Sequence, residues 1–210
     1  MTYLIIAIIA YLIGSVNFSI IISKKMAGFD VREKGSGNAG TTNVLRNVGK
    51  KAAAITLICD ILKGVVTIII ALIIGKITST NASLLCQIGA LAVAIGHTFP
   101  IFFGFRGGKG VATSLGILLT INWKIGLVCL IFALALIALT KMVSLGSISA
   151  AILFAILTIF MTDGYIAKGN YIIFGILLAL LVLYNHRENI KRITKGEENK
   201  ISFSKKEENE

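Results

Sequence analysis

Charged residues make up only 15% of this 210-residue chain, against 56% hydrophobic. A soluble domain ordinarily carries roughly 25% charged residues. That deficit, with a mean hydropathy of +0.87, excludes an ordinary soluble enzyme and points to a chain that crosses a membrane several times. Proline is nearly absent, with Pro100 alone, so long helices run uninterrupted except there. Acidic residues are scarce at ten, and only four precede residue 187. With two histidines, they form no recognisable metal-ligand set, and neither metal nor cofactor is expected. The three cysteines, Cys59, Cys86 and Cys129, lie inside apolar runs without metal-like or disulfide-like spacing and read as small core residues. The first apolar run lacks a basic leader and a small-residue cleavage site after Ile22, so it reads as a retained span.

What the chain does have is basic charge in patches. The net charge is +11; up to His186 there are 14 Lys and Arg against four Asp and Glu, and from Arg187 onward seven against six. The excess is divided among hydrophobic runs and does not build one face, which argues against nucleic acid as a partner.

Crossing ~30 Å of hydrocarbon takes about 20 apolar residues as helix. Residues 3–22, 52–74, 82–99, 125–140, 145–161 and about 165–184 qualify; 111–121 is apolar but short. Charge decides whether it crosses. If it does, the loops after the first, third, fifth and seventh spans hold 17 of the 21 basic residues, and the other side holds only Lys76, Lys124 and Lys168. The positive-inside rule then places the N-terminus outside and the C-terminus in the cytoplasm. The expectation is an all-α polytopic membrane protein of seven helices. Residues 1–186 form one membrane domain, followed by a charged, partly disordered tail over 187–210.

This topology gathers four polar clusters at one membrane face: residues 32–51, 96–113, 141–149 and 185–198. The first contains GSGNAGTTNVLR (35–46), where Gly37 and Gly40 let the backbone turn amides toward an anion while Ser36, Asn38, Thr41, Asn43 and Arg46 add donors. A flexible glycine-rich linker is the plain alternative. The second, GHTFPIFFGFRGGKGVAT (96–113), offers Arg106, Lys109 and the backbone of Gly107, Gly108 and Gly110 as a second anion cradle, against a basic anchor at a span end. His97, one turn before this break, is either a proton acceptor or a brace for the turn. Ser144 and Ser147 start a helix, where capping is the simpler role. Asn185, His186, Arg187, Asn189 and Arg192 close the last span, where interface anchoring competes with a ligand role. Asp60 and Lys63, three apart inside the second span, share one helix face and read as a structural pair that pins the polar loops, although an ionisable pair at that depth is also a functional candidate.

Two phosphate-sized clusters in a membrane protein suggest two phosphate-bearing ligands. The motifs quoted above, together with DILKG (60–64), VSLGSI (143–148), NHRENIKR (185–192) and GEENKI (196–201), resemble those of the bacterial acyl-phosphate:glycerol-3-phosphate acyltransferases, the PlsY family. The resemblance runs in order along the chain to about Ile201. It implies seven-helix inner-membrane enzymes that acylate the 1-hydroxyl of sn-glycerol 3-phosphate from acyl phosphate, giving lysophosphatidic acid, the first step of phospholipid synthesis. It also implies that Ser36, Arg46, Lys109, Ser147 and Asn185 match polar active-site positions and that His97 matches the second motif. Arg106 stands where lysine is common, and Glu197 where threonine is common. The chain has neither a G-x-S-x-G elbow nor a carboxylate five residues after His97, where Phe102 stands. A covalent acyl-enzyme is therefore not expected, and catalysis would rest on positioning and charge stabilisation. The partners implied are glycerol 3-phosphate, acyl phosphate and membrane lipid; the oligomeric state is left open, and a monomer would suffice. A transporter of phosphorylated metabolites is the alternative from another class. Transporters commonly show internal repeats, and none is visible. Acyl-CoA and acyl carrier protein remain alternative donors on the residues alone.

Overall fold

A computed structural model describes residues 1–160 and 168–201, and every regular element among them is helical. In chain order these are α1 (Thr2–Ser15), α2 (Phe18–Ala27), α3 (Thr41–Asn47), α4 (Lys50–Thr78), α5 (Ala82–Thr98), α6 (Val111–Ile121), α7 (Trp123–Thr140), α8 (Val143–Phe160), α9 (Lys168–Asn185) and α10 (Arg187–Thr194). Short 3-10 turns lie at Val31–Glu33 and Ile101–Phe103. Met161 at the end of one expected span, residues 165–167 at the start of the last, and tail residues 202–210 lie outside the described residues.

Five stretches are long and apolar enough to cross a bilayer: Thr2–Ala27, Lys50–Thr78, Ala82–Phe103, Trp123–Thr140 and Val143–Phe160. Asn170–Asn185 with Arg187–Thr194 makes a sixth, bent by 64°. Outward-facing Leu57, Ile58, Leu62, Ile69 and Ile73 give α4 an apolar exterior suited to lipid. The interior packs Ile6, Ala10, Ile68, Leu85, Val93 and Ile117. Between α8 and α9, the rings of Phe154, Tyr171 and Phe174 meet at centroid distances of 5.9–6.2 Å.

The first span departs from the expected single helix. It breaks at Val16, because Asn17 takes an extended conformation and its side chain caps α2 by accepting from the Ile20 amide at 3.2 Å. A break at membrane depth leaves carbonyls without helical partners, which must be satisfied from elsewhere. Lys63 of α4 does so, donating to Gly14 and Val16 carbonyls at 3.1 Å each.

Helix α5 ends before Pro100, as the sequence requires. Its loosened backbone is likewise met by α1: Tyr11 Oη donates to the Phe99 carbonyl at 2.8 Å, and the Ile101 amide donates to Ser15 Oγ at 3.3 Å. The two helices can approach this closely because Gly14 and Gly96 face each other. A Cβ on Gly14 would stand 2.2 Å from the Val93 carbonyl oxygen, and one on Gly96 2.3 Å from that of Tyr11.

The short α6 has eleven residues, about 16 Å of helix, well under a bilayer's apolar thickness. It is shielded by α4, α5 and α7, with Thr113, Ser114, Gly116, Ile117 and Leu118 buried. Asn122 alone separates it in sequence from α7, whose far end, at Lys141, accepts a hydrogen bond from the Ile201 amide.

The region between α2 and α4 is a packed structure and not a flexible linker. Val31, Ala39, Val44, Ala52 and Ala53 form a second small core with Ile20 and Ile22. Buried Asn43 holds the loop from within, donating to the carbonyls of Val31 (2.8 Å), Lys34 (3.0 Å) and Asn38 (3.0 Å). Its Oδ1 accepts from the Ser36 amide (3.1 Å) and from Asn47 (2.9 Å).

Candidate active site

A polar cleft of about 360 Å³ opens where the loop before α3, the loop before α6 and the α9–α10 corner meet. Ser36, Gly37 and Asn38 line it from the first, Thr98, Phe99 and residues 106–109 from the second, and Tyr184, Asn185, Arg187, Glu188, Asn189 and Arg192 from the third. Of the candidates read from the sequence, Ser36, Gly37, Asn38, Arg106, Gly107, Gly108, Lys109, Asn185 and Arg187 therefore converge. Four of the lining side chains are cationic, Arg106, Lys109, Arg187 and Arg192, against Glu188 alone.

The two loops are locked together. The carboxylate of Asp30 holds the Arg32 guanidinium with contacts of 3.0 and 2.8 Å, and Arg32 Nη1 donates to the carbonyls of Phe103 (2.7 Å) and Arg106 (2.9 Å). The Ala39 amide adds a bond to the Gly107 carbonyl at 3.4 Å. Hydrogen bonding from Arg32 outweighs burial and keeps Asp30 below the ordinary carboxylate range. The sequence reading missed Arg32. Its signal, a carboxylate two residues before an arginine in a glycine-rich loop, is common and weak.

Lys109 is the centre of the cleft's charge. Its Nζ donates to Asn189 Oδ1, Asn189 Nδ2 donates to Glu198 Oε1 at 2.8 Å, and Arg192 Nε donates to Glu198 Oε2 at 3.1 Å. Burial pushes the Lys109 pKa down to about 8; Arg192 and Arg46 push the same way, and Glu198 opposes them. Burial alone would raise Glu198, but hydrogen bonds from Asn189, Ser144 and Arg192 hold it below its ordinary value. Asn185 Nδ2 braces the turn from the side, donating to Thr98 Oγ1 (2.9 Å) and to the Lys109 carbonyl (3.4 Å). Asn189 and Arg192, for which the sequence left anchoring and a ligand role open, line the cleft, whereas Glu198 was not singled out. Asn189 and Arg192 are three apart on α10 and share a face, but Glu198 arrives only because the chain turns back at Gly196, which has φ 72°.

The segment after α10 is therefore docked as far as Ile201. Besides the Glu198 contacts, the Asn199 carbonyl accepts from Arg46 Nη2 at 3.4 Å, and the Ile201 amide donates to the Lys141 carbonyl at 2.8 Å. Arg46 is exposed and outside the cleft lining, but near enough for its charge to be felt at Lys109.

The structure places several of the expected ligand groups differently. Much of the amide capacity of the two glycine loops is spent inside the fold. Ser36, Gly37 and Gly40 donate to Asn43 Oδ1, the Lys34 carbonyl and the Asn38 carbonyl, while Gly107 and Gly108 donate to the Thr98 and His97 carbonyls at 3.0 and 3.1 Å. The glycines at 107 and 108 serve close packing: a Cβ on Gly107 would stand 2.0 Å from the His97 carbonyl oxygen, and one on Gly108 2.2 Å from His97 Nε2. Gly110 starts α6 with φ 80°, a left-handed conformation that favours glycine. Asn43, expected at the ligand, lies beneath the loop with its polar atoms committed, and Gly40 and Thr41 also lie outside the cleft lining. His97 is buried outside the cleft, with Nδ1 2.7 Å from Lys63 Nζ. It is not among the residues that line the cleft. His186 is buried with Nδ1 2.8 Å from the Val182 carbonyl. Ser144 lies beside Glu198, and Ser147 donates to the Val143 carbonyl at 2.9 Å. Among the described residues no group of three His, Cys, Asp or Glu side chains converges as a metal site.

A second, apolar groove of about 100 Å³ lies between α6, α7, α8 and α9, lined among others by Val111, Leu118, Cys129, Ala150, Ala151, Phe154, Leu178 and Val182, with Ser147 and Ser114 among its few polar groups. Val111 is two residues beyond Lys109, and Val182 one helical turn before Asn185. The two sites therefore adjoin at the start of α6 and the end of α9. Chemically, the arrangement suits a molecule with an anionic head and an apolar tail.

The comparisons agree with this chemistry. The glycerol-3-phosphate acyltransferase family model matches residues 4–196. The chain is 44% identical over 204 residues to a glycerol-3-phosphate acyltransferase of Clostridioides difficile, covering 97% of this chain and 98% of that one. It is 45% identical over 195 residues to the protein of that name from Thermoanaerobacter pseudethanolicus, covering 93% of each. Among solved structures it is similar to PlsY (YgiH), an integral membrane glycerol 3-phosphate acyltransferase. The glycerol 3-phosphate form superposes with a TM-score of 0.84 at 37% identity and the lysophosphatidic acid form with 0.81 at 36%, each covering 96% of both chains.

Proposed function

The chain belongs to the glycerol-3-phosphate acyltransferase family, and from that premise we propose that it transfers a fatty acyl group from acyl phosphate to the 1-hydroxyl of sn-glycerol 3-phosphate. The products are lysophosphatidic acid and inorganic phosphate. The observation that carries this reading is the junction of the cationic cleft with the apolar groove: one end suits phosphate, the other an acyl chain.

In the proposed reaction the 1-hydroxyl oxygen attacks the acyl carbonyl carbon. The carbon–oxygen bond to phosphate then breaks, with its electron pair leaving on the phosphate, and the hydroxyl proton passes to a phosphate oxygen. Acyl phosphate is a mixed anhydride, already activated, so no enzyme nucleophile is needed. No histidine lines the cleft to activate Ser36, which favours a phosphate oxygen over His97 as proton acceptor. Lys109, assisted by the nearby charge of Arg46, clamps phosphate. Arg106, Arg187 and Arg192 add positive potential, and Ser36, Asn38 and Asn185 orient the acceptor. Binding in the correct geometry and stabilising the developing negative charge supply the rate enhancement.

We place the protein in the bacterial plasma membrane with seven crossings, the N-terminus outside and the C-terminus in the cytoplasm. Helix α6 starts beside Lys109 at the cleft, and α7, one residue after α6, ends at Lys141 beside the docked tail. That path supports a crossing by α6 despite its length, and it keeps the basic loops on one side.

Purified protein in lipid, given glycerol 3-phosphate with acyl phosphate, acyl-CoA or acyl carrier protein in turn, tests the reading. Lysophosphatidic acid is expected from acyl phosphate alone. Formation from either thioester at a comparable rate would overturn the donor assignment, and uptake of glycerol 3-phosphate into vesicles without acylation would favour a transporter.

A further inference from the structure

Asp60 and Lys63 are not among the residues lining the cleft, yet Lys63 joins three separate parts of the fold. The two residues are 1% and 5% exposed. Lys63 Nζ lies 3.0 Å from Asp60 Oδ1 on its own helix, 2.7 Å from His97 Nδ1 on α5, and 3.1 Å from the carbonyls of Gly14 and Val16 where the first span breaks. An ammonium has three protons and accepts nothing. With Lys63 charged, His97 Nδ1 is the acceptor and the ring proton sits on Nε2, the nitrogen against Gly108. The His97 carbonyl in turn accepts from the Gly108 amide at 3.1 Å. Lys109 is the next residue. A chain of direct contacts thus leads from the broken first span through Lys63 and His97 to the turn that carries the cleft's central cation.

We propose that Lys63 is a positioning residue for the phosphate site: through His97 it sets the place of the 107–109 turn, and so the affinity of the cleft for the phosphate of glycerol 3-phosphate. The inference rests on the reading that this phosphate binds in the cleft. The competing account is that Lys63 only neutralises Asp60 inside the bilayer. The two accounts part at the double variant. If neutralisation is the whole role, Asp60→Asn combined with Lys63→Met removes both charges together and restores what Lys63→Met loses. If Lys63 positions the turn, the double variant keeps the defect, because the bonds to His97, Gly14 and Val16 are gone in both.

The measurement is kcat and KM for glycerol 3-phosphate on purified wild type, Lys63→Met, the Asp60→Asn/Lys63→Met double variant and Lys63→Arg, each first checked for monodispersity and thermal unfolding. The inference expects KM to rise about tenfold or more in Lys63→Met and in the double variant, with kcat within about threefold and partial recovery in Lys63→Arg. A wild-type KM in the double variant overturns it, as does a Lys63→Met protein with unchanged KM and merely fewer active molecules. Should Lys63→Met not fold, Lys63→Gln and His97→Gln serve, singly and combined. Non-additive KM effects support action through His97, and additive ones overturn it. Wild type without glycerol 3-phosphate-dependent acylation would instead refute the functional reading itself, so the two failures are distinct.

Discussion

The most exposed consequence of the site is its pH dependence, because the Lys109 pKa is held at about 8 by burial with help from Arg192 and Arg46. Only the charged ammonium clamps phosphate. In the free enzyme about nine-tenths of Lys109 is charged at pH 7, half at pH 8 and about one in eleven at pH 9. kcat/KM for glycerol 3-phosphate should therefore fall about tenfold from pH 7 to pH 9. The acid side belongs to the substrate, whose second phosphate ionisation lies near ~6, so the profile is a bell centred near neutrality. Stability should move the other way. A lysine whose folded pKa lies below its unfolded value of 10.5 binds fewer protons folded than unfolded. Unfolding free energy then rises with pH between about 8 and 10.5. The contribution of Lys109 to stability therefore does not fall at pH 9, and thermal unfolding at that pH separates loss of the ammonium from denaturation. Lys109→Arg, whose charge persists throughout this range, should flatten the alkaline limb even if its rate at pH 7 is lower. The assay is initial-rate lysophosphatidic acid formation across pH 5.5–9.5, corrected for donor hydrolysis without enzyme. A flat wild-type profile to pH 9.5, or an unchanged alkaline limb in Lys109→Arg, would refute the reasoning.

Three further outcomes follow from named contacts. Gly108→Ala puts a methyl 2.2 Å from His97 Nε2 and 2.5 Å from the Ala39 carbonyl oxygen; it should displace the turn, cost about 1–3 kcal/mol of stability and raise KM for glycerol 3-phosphate, measured by thermal unfolding and kinetics. Arg32→Ala removes two charge-assisted bonds joining the loops, to Phe103 and Arg106, each worth about 1.5–3 kcal/mol; titration with inorganic phosphate should show at least about tenfold weaker binding. Ala150→Phe fills the apolar groove beside Phe154 and should shift preference to shorter acyl donors at little cost in phosphate affinity, read from kcat/KM across a chain-length series.

Much of the site was legible because membrane chains allow polar residues few places. The clusters at 32–51, 96–113 and 185–198 do meet in one cleft, and Pro100 does end α5. Eight of the side chains singled out by residue type line the cleft, Ser36, Asn38, Arg106, Lys109, Asn185, Arg187, Asn189 and Arg192, and Arg46 is near enough for its charge to be felt at Lys109. What stayed hidden depends on where backbone hydrogen bonds go. Gly107 and Gly108 look like an anion cradle, yet their amides are used by the end of α5, and only the path of the chain reveals it. Asn43 reads as a donor for ligand, but a side chain with two amide protons and an acceptor oxygen serves equally to fold a loop, and here it does. The break at Val16 falls among Gly14, Ser15, Asn17 and Ser19, small and polar residues that a continuous apolar helix also tolerates, and its compensation comes from Lys63, 47 residues away. Glu198 was hidden by the mainly polar segment that carries it, which has no periodicity to announce that it returns to the site.

The account's central claim is direct transfer from donor to acceptor inside one cleft, without an acylated protein. Rapid mixing of enzyme with acyl phosphate, with and without glycerol 3-phosphate, tests it most directly when phosphate release and protein-bound acyl groups are followed together. The account predicts phosphate release that waits for glycerol 3-phosphate, equals lysophosphatidic acid formed, and leaves no acyl group on the protein. A stoichiometric burst of phosphate before acceptor is added, with acyl groups covalently attached to the chain, would contradict it.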